Sequence, residues 1–391
     1  MQGEHLNQGA ARDALRGVLQ NKRIVVCCGA GGVGKTTTSA ALGVAGALLG
    51  RKTLVVTIDP ARRLADALGM PAHSDTPQRV DIGRLVPEQR EIQGSLDFWM
   101  VQPFPIFDEM IRTLSASPED AERIYKTRIY QATRHLVAGM QEYMAGESLF
   151  QFYSRRTYDL IVLDTPPSRN AIDFLNAPDQ ILRFLDSRIL RVFAPSESAG
   201  FFLNRARKLL NSVFEQVAGL SFLSDTQEFV GLMLHIFDTL QEHADTVRRV
   251  LASPESSHLL VTSPDPLALE EALYFQRVLL ERHIPFGGFL LNRSLADHPK
   301  DSFLSLSPEK RESWGTLPMI LQDAFEKLEP LAAHEYALSE QHFDLYHRLV
   351  TLAGKQSWAL AAPHLGEDIE DLRGLFRLVD ALLPRLVAAV A

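Results

Sequence analysis

The sequence predicts an α/β fold with a mostly parallel, doubly wound sheet and an inserted α-helical subdomain. Three observations predict this fold. Short, nearly continuous apolar segments alternate with helical stretches, which is typical of a parallel sheet covered on both faces. The first of these segments is followed directly by a glycine-rich turn and a helix. Two long stretches, 104–152 and 179–251, have helical patterns and do not fit the sheet.

The first strand and the turn after it carry the strongest signal in the chain. Residues 23–28 are a short β-branched run and predict a buried strand. Residues 29–36 match G-x-x-x-x-G-K-[ST], the loop that wraps a nucleotide phosphate chain, and residues 37–49 predict a helix that ends at Gly50. Because the motif lies between a strand and a helix, the sequence predicts a P-loop NTPase sheet.

The residue types in this loop suit a phosphate chain. Backbone N–H groups of the turn can form an anion nest, and the following helix begins with unpaired N–H groups and the positive end of its dipole. Lys35 is predicted to reach the β- and γ-phosphates, and the Thr36 hydroxyl to coordinate Mg²⁺. The residues predicted to bind the nucleotide here are Gly29, Gly31, Gly32, Val33, Gly34, Lys35, Thr36 and Thr37.

Further apolar segments follow the first strand along the chain. They predict strands at 53–58, 158–163, 258–262 and 289–291, and the pattern allows a last strand at 357–361. The polar residues that follow the first four of these strands are Asp59, Asp164, Ser263 and Asn292. Since open parallel sheets bind ligands at the carboxyl ends of their strands, these polar residues are candidates for a binding site.

Two acids that follow strands are candidates for metal binding and chemistry. Asp164 is the usual second half of a phosphate-loop site, in which a carboxylate holds the Mg²⁺ shell. Asp59 would face the phosphates and the metal and could orient the attacking water, although the same residue type also serves simply to cap a helix. The loop at 165–170 could sense the γ-phosphate.

The second helical stretch is unusually apolar. Nine of the chain's 21 phenylalanines lie between Phe174 and Phe237, so this stretch is not a solvated linker. Apolar or small residues recur at helical spacing at Phe229, Met233, Ile236, Leu240, Ala244, Val247 and Leu251. Such a wide stripe is either packed core or an apolar groove for a helix of another protein.

Composition excludes several functional classes. The net charge is −8 and the basic residues are dispersed, so we expect no nucleic acid partner. The polar N-terminus does not resemble a signal peptide, and the longest apolar runs, 40–49 and 378–391, are too short or interrupted to span a membrane. We therefore expect a cytoplasmic protein. The only cysteines, Cys27 and Cys28, are neighbours on a strand and should point to opposite faces, as small core side chains.

Taken together, these segments resemble the ArsA family of ATPases, which includes the arsenite-pump ATPase and the targeting factor for tail-anchored membrane proteins. The wider class contains MinD and ParA. The resemblance rests on residues 29–38, 59–69, 158–178 and 363–375. The spacing of these segments agrees along nearly the whole chain, and the long helical insert separates it from MinD and ParA.

The resemblance implies an organisation and a set of roles. It implies one domain over 1–391, with a nucleotide-binding core at about 20–100, 155–178 and 256–391 and a helical insert at about 101–154 and 179–255. The cofactors would be ATP and Mg²⁺, held between two subunits of a homodimer or of a heterodimer with a related ATPase. Asn292 would recognise adenine, and the loop at Pro363 would cover the other side of the base. In targeting members the insert forms a groove for a hydrophobic protein client.

The chain also departs from the family pattern. Relatives usually carry a signature lysine before the Gly-Gly pair, and here that position is Ala30. Arg169 or Arg62 could supply a catalytic cation instead, a different subunit could donate the lysine, or the chain could hydrolyse ATP poorly. The Gly-His pair common in the second switch is Arg169-Asn170 here. The chain has no Cys-x-x-Cys zinc motif, and its two adjacent cysteines argue against an arsenite site.

These expectations combine into one main hypothesis, an Mg-ATP-dependent dimeric ATPase switch that couples ATP binding and hydrolysis to a hydrophobic, tail-anchored type of client. In it Asp59, Lys35 and Arg169 are catalytic, and Thr36, Asp164 and Asp59 serve the metal. The alternative is a weakly catalytic or non-catalytic subunit of a heteromeric complex. A MinD-like membrane ATPase ranks lower, because the C-terminal stretch 378–391 carries only one cation.

Overall fold

The computed structural model of this chain describes residues 8–58, 65, 68–70, 74–85, 92–128, 130–131, 141–165, 220–296, 319–354, 357–366, 369, 371–384 and 386. Within these ranges the chain forms one eight-stranded sheet with helices on both faces. The α/β class predicted from the sequence is confirmed.

The sheet has the strand order β3-β4-β2-β5-β1-β6-β7-β8. The strands are β1 (Ile24–Cys28), β2 (Lys52–Thr57), β3 (Gln78–Val80), β4 (Ser95–Met100), β5 (Leu160–Asp164), β6 (Ser256–Thr262), β7 (Phe286–Ser294) and β8 (Trp358–Pro363). Every neighbouring pair is parallel except β3 and β4, which are antiparallel. Because β1 lies between β5 and β6, the ends of β1 and β5 are adjacent, and these are the ends that carry the glycine-rich turn and Asp164.

The helices divide between the two faces of the sheet. They are α1 (Gly9–Asn21), α2 (Lys35–Leu48), α3 (Pro103–Leu114), α4 (Pro118–Lys126), α5 (Gln141–Ser154), α6 (Leu220–Leu251), α7 (Pro266–Glu281), α8 (Met319–Ala353) and α9 (Leu372–Leu382), with a short 3-10 helix at Ile82–Leu85. Buried side chains of α1, α2 and α9 form the core on one face, which also includes Ala268 at the start of α7, and the other buried side chains of α3 to α8 form the core on the opposite face. This two-sided packing explains why the central strands are apolar throughout.

Two strands were not predicted from the sequence. β3 has only three residues, and β4 alternates Leu96, Phe98 and Met100 on one face with Asp97 and Trp99 on the other. The polar residue inside β4 interrupts the continuous apolar run that marks the central strands. The last strand, which the sequence pattern only allowed, is present as β8.

The two cysteines lie on opposite faces of β1, as predicted. Cys27 belongs to the core beneath α2, and Cys28 to the core on the other face. Burial raises the pKa of the Cys28 thiol to about 12 and the pKa of Cys27 further still. Since the thiolate is the form that binds soft metal ions, the two side chains are poorly suited to hold arsenite together.

The apolar stripe of α6 is packed into the core. Met233, Ile236, Leu240, Ala244 and Val247 are each at most 6% exposed. Helix α6 packs against α5, α4 and α3 and touches β6 at its C-terminal end. Of the two interpretations of the stripe, packed core is therefore the one that the structure supports for these residues. The side chain of Phe237 lies outside the described part of the chain.

This burial changes how a client groove can be tested. A charged side chain at Met233, which is 3% exposed, would have to be buried without a partner and would destabilise the fold by several kcal/mol. If such a variant failed to bind a client, the reason would be an unfolded chain and not the loss of a client groove.

The boundaries of the helical insert remain a prediction.

A buried histidine in β6 should make stability depend on pH. The side chain of His258 is fully buried, its Nδ1 lies 3.1 Å from the carbonyl oxygen of Pro285, and its Nε2 has no partner in the described part of the chain. Desolvation lowers the pKa of His258 from 6.5 to about 4. Between these pH values the unfolded chain binds a proton that the native chain excludes, so the stabilisation present above pH 6.5 is lost as the pH falls. The loss should reach about 3 kcal/mol at pH 4.

The test compares unfolding of the parent chain and His258→Gln between pH 4 and pH 6.5. We expect the variant to lose much of this pH dependence, whatever its absolute stability. His334→Gln, on an exposed turn of α8, should retain the pH dependence of the parent. Equal slopes in the parent and His258→Gln would show that His258 is not the group responsible.

In the described part of the chain, no helix combines the length and the apolar character needed to cross a membrane. The cytoplasmic location expected from the sequence stays a prediction.

Candidate functional site

The glycine-rich turn lies between β1 and α2, at the carboxyl end of the sheet. Two of its positions have no room for a side chain. A Cβ on Gly29 would lie 2.0 Å from the carbonyl oxygen of Val261. A Cβ on Gly34, which has φ of +88°, would lie 2.2 Å from Nδ2 of Asn292. The glycines at these two positions thus let the loop approach β6 and β7 closely.

Lys35 is the first residue of α2, and its side chain turns back over the loop. The ammonium group donates a hydrogen bond of 2.6 Å to the carbonyl oxygen of Ala30. The residue is 6% exposed, so the charge is held in a largely desolvated place at the positive end of the helix dipole. A cation and a helix N-terminus that converge on one loop form an arrangement suited to an anion.

The side chain of Asp164, at the end of β5, links this strand to α2 and β2. Its Oδ2 accepts hydrogen bonds from the hydroxyls of Thr36 at 2.8 Å and Thr57 at 2.9 Å, and its Oδ1 accepts one from Ser39 at 3.4 Å. The carboxylate is fully buried. These donors hold a carboxylate and a hydroxyl oxygen side by side, which are the oxygen ligands that Mg²⁺ prefers. The residues present therefore fit a magnesium ion held by Thr36 and Asp164.

Sequence reasoning missed Thr57 and Ser39. Thr57 is the last residue of β2 and lies directly opposite Asp164 in the parallel register of β2 and β5. Ser39 lies one helical turn after Thr36 and so faces the same carboxylate. Both could have been found by asking which hydroxyls the strand register and the helix period bring to Asp164. Their hydrogen bonds orient the carboxylate toward Thr36.

The two residues predicted to enclose the base line one pocket. Asn292, at the end of β7, and Pro363, at the end of β8, border it together with Thr37 from α2. The remaining lining residues are Arg293, His364, Leu365, Ile369 and Leu378. The amide of Asn292 donates a hydrogen bond of 2.9 Å to the carbonyl oxygen of Val33, which links the pocket directly to the glycine-rich turn. The pocket combines apolar and polar groups beside the loop, but its volume is only about 40 Å³, so its walls would have to move apart to admit a purine and its ribose.

Several predicted residues lie outside the described part of the chain. They are Asp59, Arg62, Arg169 and Asn170, and the structure says nothing of their roles. Ala30 is described and is 7% exposed; its side chain packs with Val33 and the core beneath α2. The position of the signature lysine therefore presents no cation.

The chain is similar to one family of known proteins. The family profile for anion-transporting ATPases, named ArsA ATPase, matches residues 22–341. That match begins just before β1 and ends within α8, so it includes the glycine-rich turn, Asp164 and Asn292.

Three relatives illustrate the range of the similarity. A putative arsenical pump-driving ATPase 1 from Aquifex aeolicus is 24% identical over 65% of this chain, and the chain spans 59% of that protein's length. ATPase ASNA1 homolog 1 from Paramecium tetraurelia is 25% identical over a region that covers 74% of this chain and 80% of that protein's length. ATPase GET3B from Arabidopsis thaliana is 25% identical over a region that covers 76% of this chain and 70% of that protein's length.

Proposed function

The chain belongs to the anion-transporting, or ArsA, ATPase family, and we propose that it hydrolyses ATP with Mg²⁺ as a dimeric conformational switch. One observation carries this proposal. The Thr36 hydroxyl and the Asp164 carboxylate are 2.8 Å apart, immediately beside a phosphate-type loop whose lysine is desolvated. Phosphoryl transfer needs this combination, because its catalysis depends on positioning and on balancing charge on the phosphates.

Different residues of the chain would bind the phosphates, the metal, the attacking water and the base. The loop N–H groups and the N-terminus of α2 would hold the phosphates, and Lys35 would move from the Ala30 carbonyl to balance charge on the β- and γ-phosphates. Thr36 and Asp164 would hold Mg²⁺, which when bound neutralises charge that develops on the phosphate oxygens. Asp59 would position the attacking water, and Asn292 and Pro363 would hold the base.

The absence of a lysine at position 30 keeps a second function open, a weakly catalytic or non-catalytic subunit of a heteromeric complex. The packed side chain of Ala30 supports this alternative, because no cation from this position can reach a partner's phosphates. In the homodimer, Arg169 or Arg62 would have to supply the charge.

One experiment separates the two functions. ATP hydrolysis is measured for the purified chain over a wide range of protein concentration, with Asp59→Asn as the inactive control. A homodimeric switch should show turnover per chain that rises with concentration and is absent from the control. Tight ATP binding without turnover at any concentration would contradict the homodimer and support the heteromeric subunit.

We further propose that the client of this switch is a hydrophobic protein segment. The buried stripe of α6 does not support this proposal, but α8 exposes apolar side chains. Leu328, Leu331 and Tyr336 are 47%, 61% and 41% exposed. Leu328 and Leu331 are three residues apart and so lie on one side of the helix, as in an apolar docking face.

This part of the proposal is tested with Leu331→Glu. We expect it to lower affinity for a labelled, apolar 20-residue helical peptide about tenfold or more, while ATP binding is retained. The matched control is Leu267→Glu on α7, a leucine that is 66% exposed. Equal peptide binding by both variants and the parent would exclude α8 as the client surface.

A further inference from the structure

The hydrogen bond between Asn292 and Val33 joins the base pocket to the phosphate loop. Nδ2 of Asn292, near the end of β7, lies 2.9 Å from the carbonyl oxygen of Val33. A carbonyl oxygen can only accept, so the amide N–H is the donor and the orientation of the carboxamide is fixed. Asn292 is 6% exposed and Val33 is 2% exposed. Because water has little access to this bond, its loss would cost more than the loss of an exposed one.

Val33 is the residue at which the loop becomes firmly held. Gly31 and Gly32, just before it, are exposed, and a Cβ built on either would meet no other described residue within 4 Å. Glycines without such contacts keep much backbone freedom. The side chain of Val33, by contrast, lies in the core beneath α2, and its carbonyl is bound by Asn292. The bond therefore holds the loop at the boundary between its exposed tip and the start of α2.

The same bond sets the direction of a peptide unit at the start of α2. The C=O and N–H of a trans peptide point in opposite directions, so a Val33 carbonyl held toward Asn292 directs the Gly34 N–H away from Asn292. Gly34 is the N-cap of α2, with φ of +88°, and the first N–H groups of the helix follow it. The placement of these donors thus depends on the side chain of Asn292.

We propose that Asn292 is a positioning residue for the phosphates, in addition to its expected contact with the base. Its amide donor fixes the peptide between Val33 and Gly34, and this peptide sets the N–H groups that would bind the phosphate chain. The inference rests on the function proposed above. Since Asn292 also lines the base pocket, a movement of that pocket wall would be passed on to the phosphate loop.

Inorganic tripolyphosphate tests this role, because it carries the phosphates without a base. Binding of tripolyphosphate and of ATP is measured by calorimetry on the full chain with Mg²⁺. Asn292→Leu and Asn292→Ala both remove the amide without adding charge, and they differ in volume, so a shared effect reports the lost hydrogen bond. We expect each variant to bind tripolyphosphate about tenfold more weakly than the parent. The binding measurement does not require hydrolysis, so it applies to both functions proposed above.

Steady-state hydrolysis gives a second readout. A displaced phosphate loop should lower kcat about tenfold even at saturating ATP, whereas loss of a base contact alone should raise KM and leave kcat unchanged. The matched control is Asn21→Leu. Asn21 is exposed at the end of α1, and its amide donates a 2.9 Å hydrogen bond to the carbonyl oxygen of Gly17. This control loses the same kind of bond away from the site, and it should bind both ligands as the parent does.

The possible outcomes separate this inference from the proposed function. Parental affinity for tripolyphosphate in both Asn292 variants, together with weaker ATP binding, would show that Asn292 acts on the base alone. That result would overturn the inference and leave the proposed function intact. A parent chain that binds neither ATP nor tripolyphosphate would overturn the proposed function and the inference with it. Thermal unfolding of each variant sets a temperature at which all of them are folded and compared.

Discussion

Replacing Lys35 with methionine should lower ATP hydrolysis by at least about 100-fold and weaken ATP binding. The ammonium group is 6% exposed and bonds to the loop carbonyl of Ala30, so its charge acts on the loop with little screening by water. Methionine keeps the length of the side chain but removes the charge that would balance the phosphates. The measurement is steady-state ATP hydrolysis together with nucleotide binding by fluorescence.

The matched control for this substitution is Lys126→Met. Lys126 is an exposed lysine at the end of α4, and its loss should leave hydrolysis unchanged. Because a buried charge is removed in Lys35→Met, we expect this variant to fold at least as stably as the parent. A folded Lys35→Met protein with parental hydrolysis would contradict the assignment of this loop as the phosphate site.

Replacing Asp164 with asparagine should lower hydrolysis by at least about 100-fold and raise the Mg²⁺ concentration needed for half-maximal activity about tenfold. Asparagine has nearly the same shape and keeps an oxygen that can accept the bonds from Thr36 and Thr57. It loses the negative charge that would hold the metal. The measurement is hydrolysis against Mg²⁺ concentration, with ATP binding in the presence of a chelator as a second readout.

The same strand offers a control at its other end. Asp159 is exposed, lies just before β5, and accepts a 2.8 Å hydrogen bond from the backbone N–H of Lys52. Asp159→Asn should leave the Mg²⁺ dependence unchanged. We expect Asp164→Asn to bind ATP almost normally when Mg²⁺ is chelated. If its Mg²⁺ dependence matched that of the parent, Asp164 would not be part of the metal site.

The two substitutions separate the parts of the site. Lys35 is expected to affect nucleotide binding with or without Mg²⁺, because its charge would act on the phosphates directly. Asp164 is expected to act only through the metal. Since the carboxylate also collects three hydroxyl bonds from α2 and β2, its variant should lose some stability as well, on the order of 1 kcal/mol.

The central strands and the phosphate loop could be predicted from the sequence because their signals are local. A strand buried on both faces is apolar at every position, and the loop needs glycine where a Cβ would collide with β6 or Asn292. β3 and β4 lack such a signal. β4 carries Asp97 within its apolar run, and β3 is stabilised by antiparallel pairing with β4, which no local pattern reveals.

The apolar stripe of α6 was predicted correctly from the sequence, but its pattern did not decide whether the stripe is core or a docking surface. Helical spacing of Met233, Ile236 and Leu240 identifies one apolar face, but a core face and a docking face have the same pattern. Only the packing of α6 against α5, α4 and α3 shows that these side chains lie in the interior. The exposed apolar residues of α8 had no comparable signal in the sequence.

By itself the sequence determined the fold class and the phosphate loop, and it identified Lys35, Thr36 and Asp164 as candidate site residues, because each depends on residue types at short, regular spacing. Tertiary structure alone decided which groups meet at the site. Thr57 and Ser39 contact Asp164, and Asn292 bonds to Val33 across 259 positions of the chain. These contacts depend on the strand register and on how the helices pack against the sheet. Both are set by the burial of apolar side chains throughout the core, not by any short stretch of sequence.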